Sequence, residues 1–217
     1  MKFSDILPIK EGVYDPHIFK AIFTSGAPGS GKSTLVKKLL SGTGLKLLDI
    51  DKWWEYFNLY KKDKAKTYDD YWHYIQAQRK NYIEGRLGLI IDGTGKDLGR
   101  LIEIKDLLEK LGYDTAMIFV NTSLETALAR AKERERQTGR AVPRENIIRS
   151  WHATQENLGR LQDIFGGKFL IVDNNEIPAN LGHVEKTIKR FLDSKITNDI
   201  ARHWIQQELE KRKNNLK

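Results

Sequence analysis

Residues 26 to 34 read Gly26-Ala27-Pro28-Gly29-Ser30-Gly31-Lys32-Ser33-Thr34, and their types and order suit one chemistry, the holding of a triphosphate. Gly26, Gly29 and Gly31 let the backbone turn tightly and aim amides at a β-phosphate. Lys32 bridges the β- and γ-phosphates as a point charge, and the Ser33 hydroxyl ligates Mg²⁺. Ala27, Pro28, Ser30 and Thr34 complete the loop. The segment reads as a P-loop. No guanine-reading Asn-Lys-x-Asp loop occurs, so ATP with Mg²⁺ is the expected cofactor pair.

Transfer from that triphosphate needs an acceptor hydroxyl, a carboxylate to take its proton, and cations to neutralise the moving phosphoryl. Asp49-Ile50-Asp51 and Ile90-Ile91-Asp92-Gly93-Thr94 each end a strand-like run, and ligands in open parallel sheets bind beyond the carboxyl ends of strands. Asp51 is the expected general base, against the alternative of an N-cap for the helix beginning near Trp53. Asp92 reads as a magnesium orienter or an acceptor contact, or as a plain strand-end turn with Gly93; Thr94 and Lys96 are weaker acceptor candidates. Arg130, Arg134, Arg136 and Arg140 form a cationic lid over about 130–145. Arg130 and Arg134 share a helical face; one or two of the four are expected to reach the phosphates, with Arg136 and Arg140 nearest the loop. The aromatics Trp53, Trp54, Tyr56, Phe57, Tyr60, Tyr68, Tyr71, Trp72 and Tyr74 suit helix packing better than base stacking.

The elements that must position these groups alternate. Strands are expected at Ala21–Ser25, Leu45–Ile50, Leu87–Asp92, Tyr113–Val120 and Lys168–Asp173. Helices are expected at Thr34–Leu40, Trp53–Tyr60, Tyr68–Glu84, Leu98–Leu111, Leu124–Gln137, Glu145–Phe165, His183–Leu192 and Ile200–Lys211. This alternation predicts an α/β/α sandwich on a mainly parallel five-stranded sheet. A kinase domain is expected over 21–195, with an N-terminal extension (1–20) and a C-terminal helix and basic tail (196–217).

Composition narrows the class. With 217 residues, 40% of them hydrophobic, one main core is expected. The absence of cysteine excludes disulfides and thiolate metal sites, which suits a reducing cytoplasm, and no apolar run approaches membrane-spanning length. A net charge of +8 suits an anionic partner or a generally soluble basic surface.

The order of these motifs resembles the zeta toxin and polynucleotide kinase group of P-loop kinases. The likeness is strengthened by Leu111-Gly112-Tyr113-Asp114-Thr115 and by the arginine-rich helix running into Gly139-Arg140-Ala141-Val142-Pro143. Gln155-Glu156-Asn157-Leu158 and Phe169-Leu170-Ile171-Val172-Asp173-Asn174-Asn175 resemble the zeta toxins more. The resemblance implies Asp51 as base, Asp92 with Thr94 on the acceptor side, phosphate-binding roles for Arg134, Arg136 or Arg140, and Asn174 in an adenine-side loop. Gly95-Lys96-Asp97 departs from the Leu-Arg of some zeta toxins, an argument against a UDP-sugar acceptor. The expected activity is transfer of the γ-phosphate of ATP to a hydroxyl-bearing small molecule. The alternatives are a polynucleotide 5′-hydroxyl kinase and a nucleotide-binding switch module with weak ATPase activity.

Overall fold

The computed structural model describes residues 12–48, 76–139, 141–176 and 181–214. Five parallel strands form one sheet in the order β2-β3-β1-β4-β5. They are β1 (Lys20–Ser25), β2 (Lys46–Leu48), β3 (Leu89–Asp92), β4 (Asp114–Asn121) and β5 (Phe169–Asp173). The helices are α1 (Lys32–Leu40), α2 (Leu98–Lys110), α3 (Leu124–Thr138), α4 (Arg144–Glu156), α5 (Leu158–Phe165), α6 (Gly182–Asp193) and α7 (Asp199–Asn214). Residues 76–84 are also helical. The sheet and its covering helices are the doubly covered architecture the alternation predicts.

Burial on both faces explains why the central strands are continuous apolar runs. Alternate residues feed two cores. Ile22, Ile90, Ile118 and Val120 pack with Leu35, Val36 and Leu39 of α1 and Val184, Ile188 and Leu192 of α6. Ala21, Phe23, Leu89, Met117 and Phe119 face the other way, onto Leu108 of α2, Leu161 and Phe165 of α5 and Ala201 of α7. The registers Ile22↔Ile90 and Ile22↔Ala116 hold β1 between β3 and β4. The strand order reverses at β1, so the loop leaving it opens at a topological switch point, where such sheets bind ligands.

The helix expected over Glu145–Phe165 is two helices, broken at Asn157. The residue keeps near-helical angles (φ −81, ψ −9), yet its side chain is committed to a loop on the other side of the cleft, and Gly159 follows. Hydrophobic spacing runs straight through this position, so periodicity alone joins the two halves. The lid hairpin of α3 and α4 has only a small core of its own: Ala127, Ala131 and Ile147.

Candidate active site

β1 ends at Ser25 and the chain enters the glycine loop, which closes on itself through Ser30 N–H donating to the Ala27 carbonyl at 3.0 Å. Two glycines are required by both backbone and space. Gly29 has φ +87, and a Cβ there would meet the Ala127 carbonyl oxygen at 2.0 Å. Gly31 has φ +81, and its Cβ would meet Asn174 Nδ2 at 2.4 Å. Gly31 is also the N-cap of α1, and no side chain caps that helix. The first-turn amides and the positive end of the dipole therefore face the cleft without a side-chain acceptor, as an anion-binding helix start requires.

Lys32 opens α1, and its ammonium is ion-paired with Asp92 Oδ1 at the end of β3; Thr24 Oγ1 donates to the same oxygen at 2.5 Å. Ser33 and Thr34 are exposed on the same turn. Together with residues 26–31 they line a cleft of about 1150 Å³ whose other walls carry Asp92, Thr94, Lys96 and Asp97, then Arg130, Arg134, Asn146, Arg149 and Ser150 of the lid hairpin. Among the described residues no cluster of three or more acidic or histidine side chains could hold a metal by itself.

The lid arginines separate. Arg130 lines the cleft but spends its guanidinium on backbone: Nη1 donates to the Asn174 carbonyl at 2.7 Å and Nη2 to that of Asn175 at 3.4 Å. Asn174 is buried and donates Nδ2 to the Ser30 carbonyl at 2.7 Å, so it braces the glycine loop from behind. Arg134, one turn beyond Arg130, also lines the cleft. Arg136 does not: its side chain is 77% exposed and grips Glu133 through two hydrogen bonds. The hydrogen bond from Arg136, with another from Gln137, holds the Glu133 carboxyl below its ordinary range. Of the candidate phosphate-binding arginines, Arg136 therefore does not line the cleft in this arrangement. It lies two positions beyond Arg134, about 200° around the helix. Asp49, Asp51, the aromatics between Trp53 and Tyr74, and Arg140 lie outside the described residues.

A second cavity, about 350 Å³, adjoins the cleft. Phe23, Ile83, Leu89, Ile91, Leu101, Ile104 and Leu108 make it apolar, and Gln78, Arg79, Lys96 and Arg100 bring polar groups to it. Asp92, Thr94, Lys96 and Asp97 line both spaces. Asp97 caps α2, accepting from Arg100 N–H at 3.0 Å. Thr94 accepts at its hydroxyl from Lys96 N–H at 3.4 Å. Sequence reasoning missed Asn146, Arg149 and Ser150. Their spacing with Ala153 marks one helical face, a signal that was present but hidden inside a helix read only for its apolar residues.

Residues 9–179 match the zeta toxin family. A curated shikimate kinase from Sulfurihydrogenibium sp. (strain YO3AOP1) is 29% identical over 152 residues, 67% of this chain and 86% of that protein. Two solved structures share the fold at low identity. One, from Chloroflexus aurantiacus and assigned only provisionally as a kinase, aligns with TM-score 0.57 and 18% identity over 82% of this chain and 98% of that one. The other is from the PezAT chromosomal toxin-antitoxin system of Streptococcus pneumoniae, with TM-score 0.52 and 19% identity over 98% and 92%. Among the described residues no helix is long and apolar enough to cross a membrane.

Proposed function

The chain belongs to the zeta toxin family, and from that premise we propose that it is an ATP-dependent kinase transferring the γ-phosphoryl group to a hydroxyl acceptor. The observation that carries the reading is the meeting of two spaces, a triphosphate-sized cleft and a smaller apolar cavity, across the shared residues Asp92, Thr94, Lys96 and Asp97. A phosphotransferase needs donor and acceptor held in line at one boundary, and a binding module does not.

In this reading the α1 amides and Lys32 hold the β- and γ-phosphates, and Arg134 and Arg149 neutralise charge on the transferring group from the lid side. Mg²⁺ would be held by Ser33 Oγ with Asp92 behind it, and supplies further charge neutralisation when bound. Asp51 takes the acceptor proton as the acceptor oxygen bonds to phosphorus and the bond from phosphorus to the bridging oxygen of ADP breaks. Its support is sequence position: β2 runs parallel to β3, so the chain leaves it at the sheet edge where Asp92 stands. Asp92 Oδ1 is already engaged by Lys32 and Thr24. The acceptor suited to the cavity has an apolar body and an oxyanion, because neither Arg79 nor Arg100 forms a side-chain ion pair or hydrogen bond among the described residues.

The test is transfer of radiolabelled γ-phosphate to hydroxy acids, phosphorylated alcohols, UDP-sugars and oligonucleotides with 5′-hydroxyls. Asp51→Asn is expected to retain ATP binding and lose transfer, and transfer at the wild-type rate would remove Asp51 from the role. Slow ATP hydrolysis without any phosphorylated product would favour the nucleotide-binding module instead. The polynucleotide reading keeps one supporting observation, the net charge of +8. It requires oligonucleotide binding that weakens steeply with salt.

A further inference from the structure

The backbone of the loop shared by the two spaces is held from both sides. The Thr94 carbonyl receives Gly26 N–H at 3.2 Å, Ser25 Oγ at 2.8 Å and Thr154 Oγ1 at 3.1 Å, donors from the start of the glycine loop, the end of β1 and the lid helix α4. Gly95 takes φ +76, and a Cβ there would meet Ser25 Oγ at 2.1 Å, so this loop presses directly on β1. The next two carbonyls go to one residue: Asn157 Nδ2 donates to Gly95 O at 2.9 Å and Lys96 O at 3.1 Å.

These grips differ in quality. Thr154 has one hydroxyl proton, and the Ser150 carbonyl at 2.6 Å competes for it with Thr94. Asn157 has two amide protons for two carbonyls and shares neither. Its place along the chain is equally specific. Asn146, Ser150, Ala153 and Asn157 recur at three- and four-residue steps, so they lie along one face of the lid helix. The first three line the nucleotide cleft, and the fourth grips the acceptor loop. Beyond Asn157, Leu161 and Phe165 of α5 are buried in the main core. The side chain thus sits between a fixed helix and one whose small separate core leaves it the more easily displaced.

We propose that Asn157 is a positioning residue that couples nucleotide binding on the lid to the order of the acceptor loop 94–97. This rests on the kinase reading only for its purpose. The coupling is a property of the nucleotide site and is measurable without an acceptor. When phosphates draw Arg134 and Arg149 inward, α4 carries the Asn157 amide with it, and residues 94–97 are held in the position that an acceptor meets. Loss of the two donors leaves the glycine loop 26–34 intact and disconnects loop 94–97 from the lid helix.

The experiment is hydrogen exchange with mass spectrometry on the full chain, with and without Mg²⁺ and a non-hydrolysable ATP analogue. The variants are Asn157→Ala and the isosteric Asn157→Asp, which removes both donors while filling the same space. In the wild type the analogue is expected to slow exchange in both 26–34 and 93–97. In both variants, protection of 26–34 stays and the added protection of 93–97 falls about tenfold, the scale of two ordinary hydrogen bonds. A purely structural Asn157 would lower melting temperature and loosen 93–97 equally with and without nucleotide, and that result overturns the proposal. Undiminished nucleotide-dependent protection of 93–97 in the variants overturns it too, as does its absence in the wild type. Failure of the phosphate-transfer screen, with this coupling intact, would count against the kinase reading alone.

Discussion

Two lysine–aspartate pairs stand at opposite ends of the same sheet. At the amino end, Lys20 of β1 is 1% exposed and reaches Asp114 of β4 at 2.8 Å and Ser194 Oγ at 2.7 Å, with the Phe191 ring 5.3 Å from its ammonium. At the carboxyl end, Lys32 and Asp92 are paired on the wall of the cleft. In the first pair the lysine is buried and the aspartate is half-buried, with Lys168 as a second partner at 3.4 Å, and the pair lines neither the cleft nor the adjoining cavity. The second faces a space that admits phosphates, which compete for the same ammonium. Similar chemistry is structural where the pair lies away from the cleft, and functional where the pair lines it.

The sharpest break in that comparison is Lys32→Ala. Transfer is expected to fall about a thousandfold and nucleotide binding to weaken, while the melting temperature stays near wild type. A large loss of stability would mean that the cleft pair is structural as well. Next is Lys20→Ala, expected to cost about 3 kcal/mol in chemical denaturation, because it leaves Asp114 half-buried without its main partner. Activity per folded molecule should persist, and Lys20→Met should recover part of the loss by refilling the space. Arg134→Ala is expected to lower turnover about a hundredfold, against a change within about twofold for Arg136→Ala, whose partner is Glu133. Equal effects of the two would dissolve the distinction between the faces of α3.

The smallest effect is one of acidity. Burial pushes the Asp114 carboxyl up, but the hydrogen bond and charge of Lys20, with help from Lys168, outweigh it and hold it below its ordinary value of 3.8. The folded state therefore binds fewer protons than the unfolded chain in this range. The contribution is complete above about pH 4 and is lost as pH falls through the folded-state value. Melting curves on acidification should drop more steeply for the wild type than for Lys20→Met.

Much of the carboxyl-end site was legible because its signals are local. The glycine loop needs left-handed backbone at Gly29 and Gly31 and a lysine one residue later, and these requirements fall within nine consecutive residues. Asp92 was legible as a polar end to an apolar strand. Which of Arg134, Arg136 and Arg140 lines the cleft depends on helical phase, and Arg136 does not line it. Ala127 and Ala131 face inward, so a residue five beyond Ala131 lies about 140° from the packed side. The Lys20 pair was not legible at all. Nothing near Lys20 in the sequence distinguishes it from a solvated lysine, and its partners lie 94 and 174 residues away.

By itself the sequence determined a parallel sheet with helices on both faces, a triphosphate loop at its switch point, and a set of cations downstream. Each of these depends on periodicity or on residues adjacent in the chain. Only the tertiary structure decided which cations enter the cleft, which carboxylate meets Lys32, and that Asn157 breaks a helix to hold a loop about sixty residues earlier. Those outcomes depend on distances between segments remote in sequence, which packing fixes and local spacing does not encode.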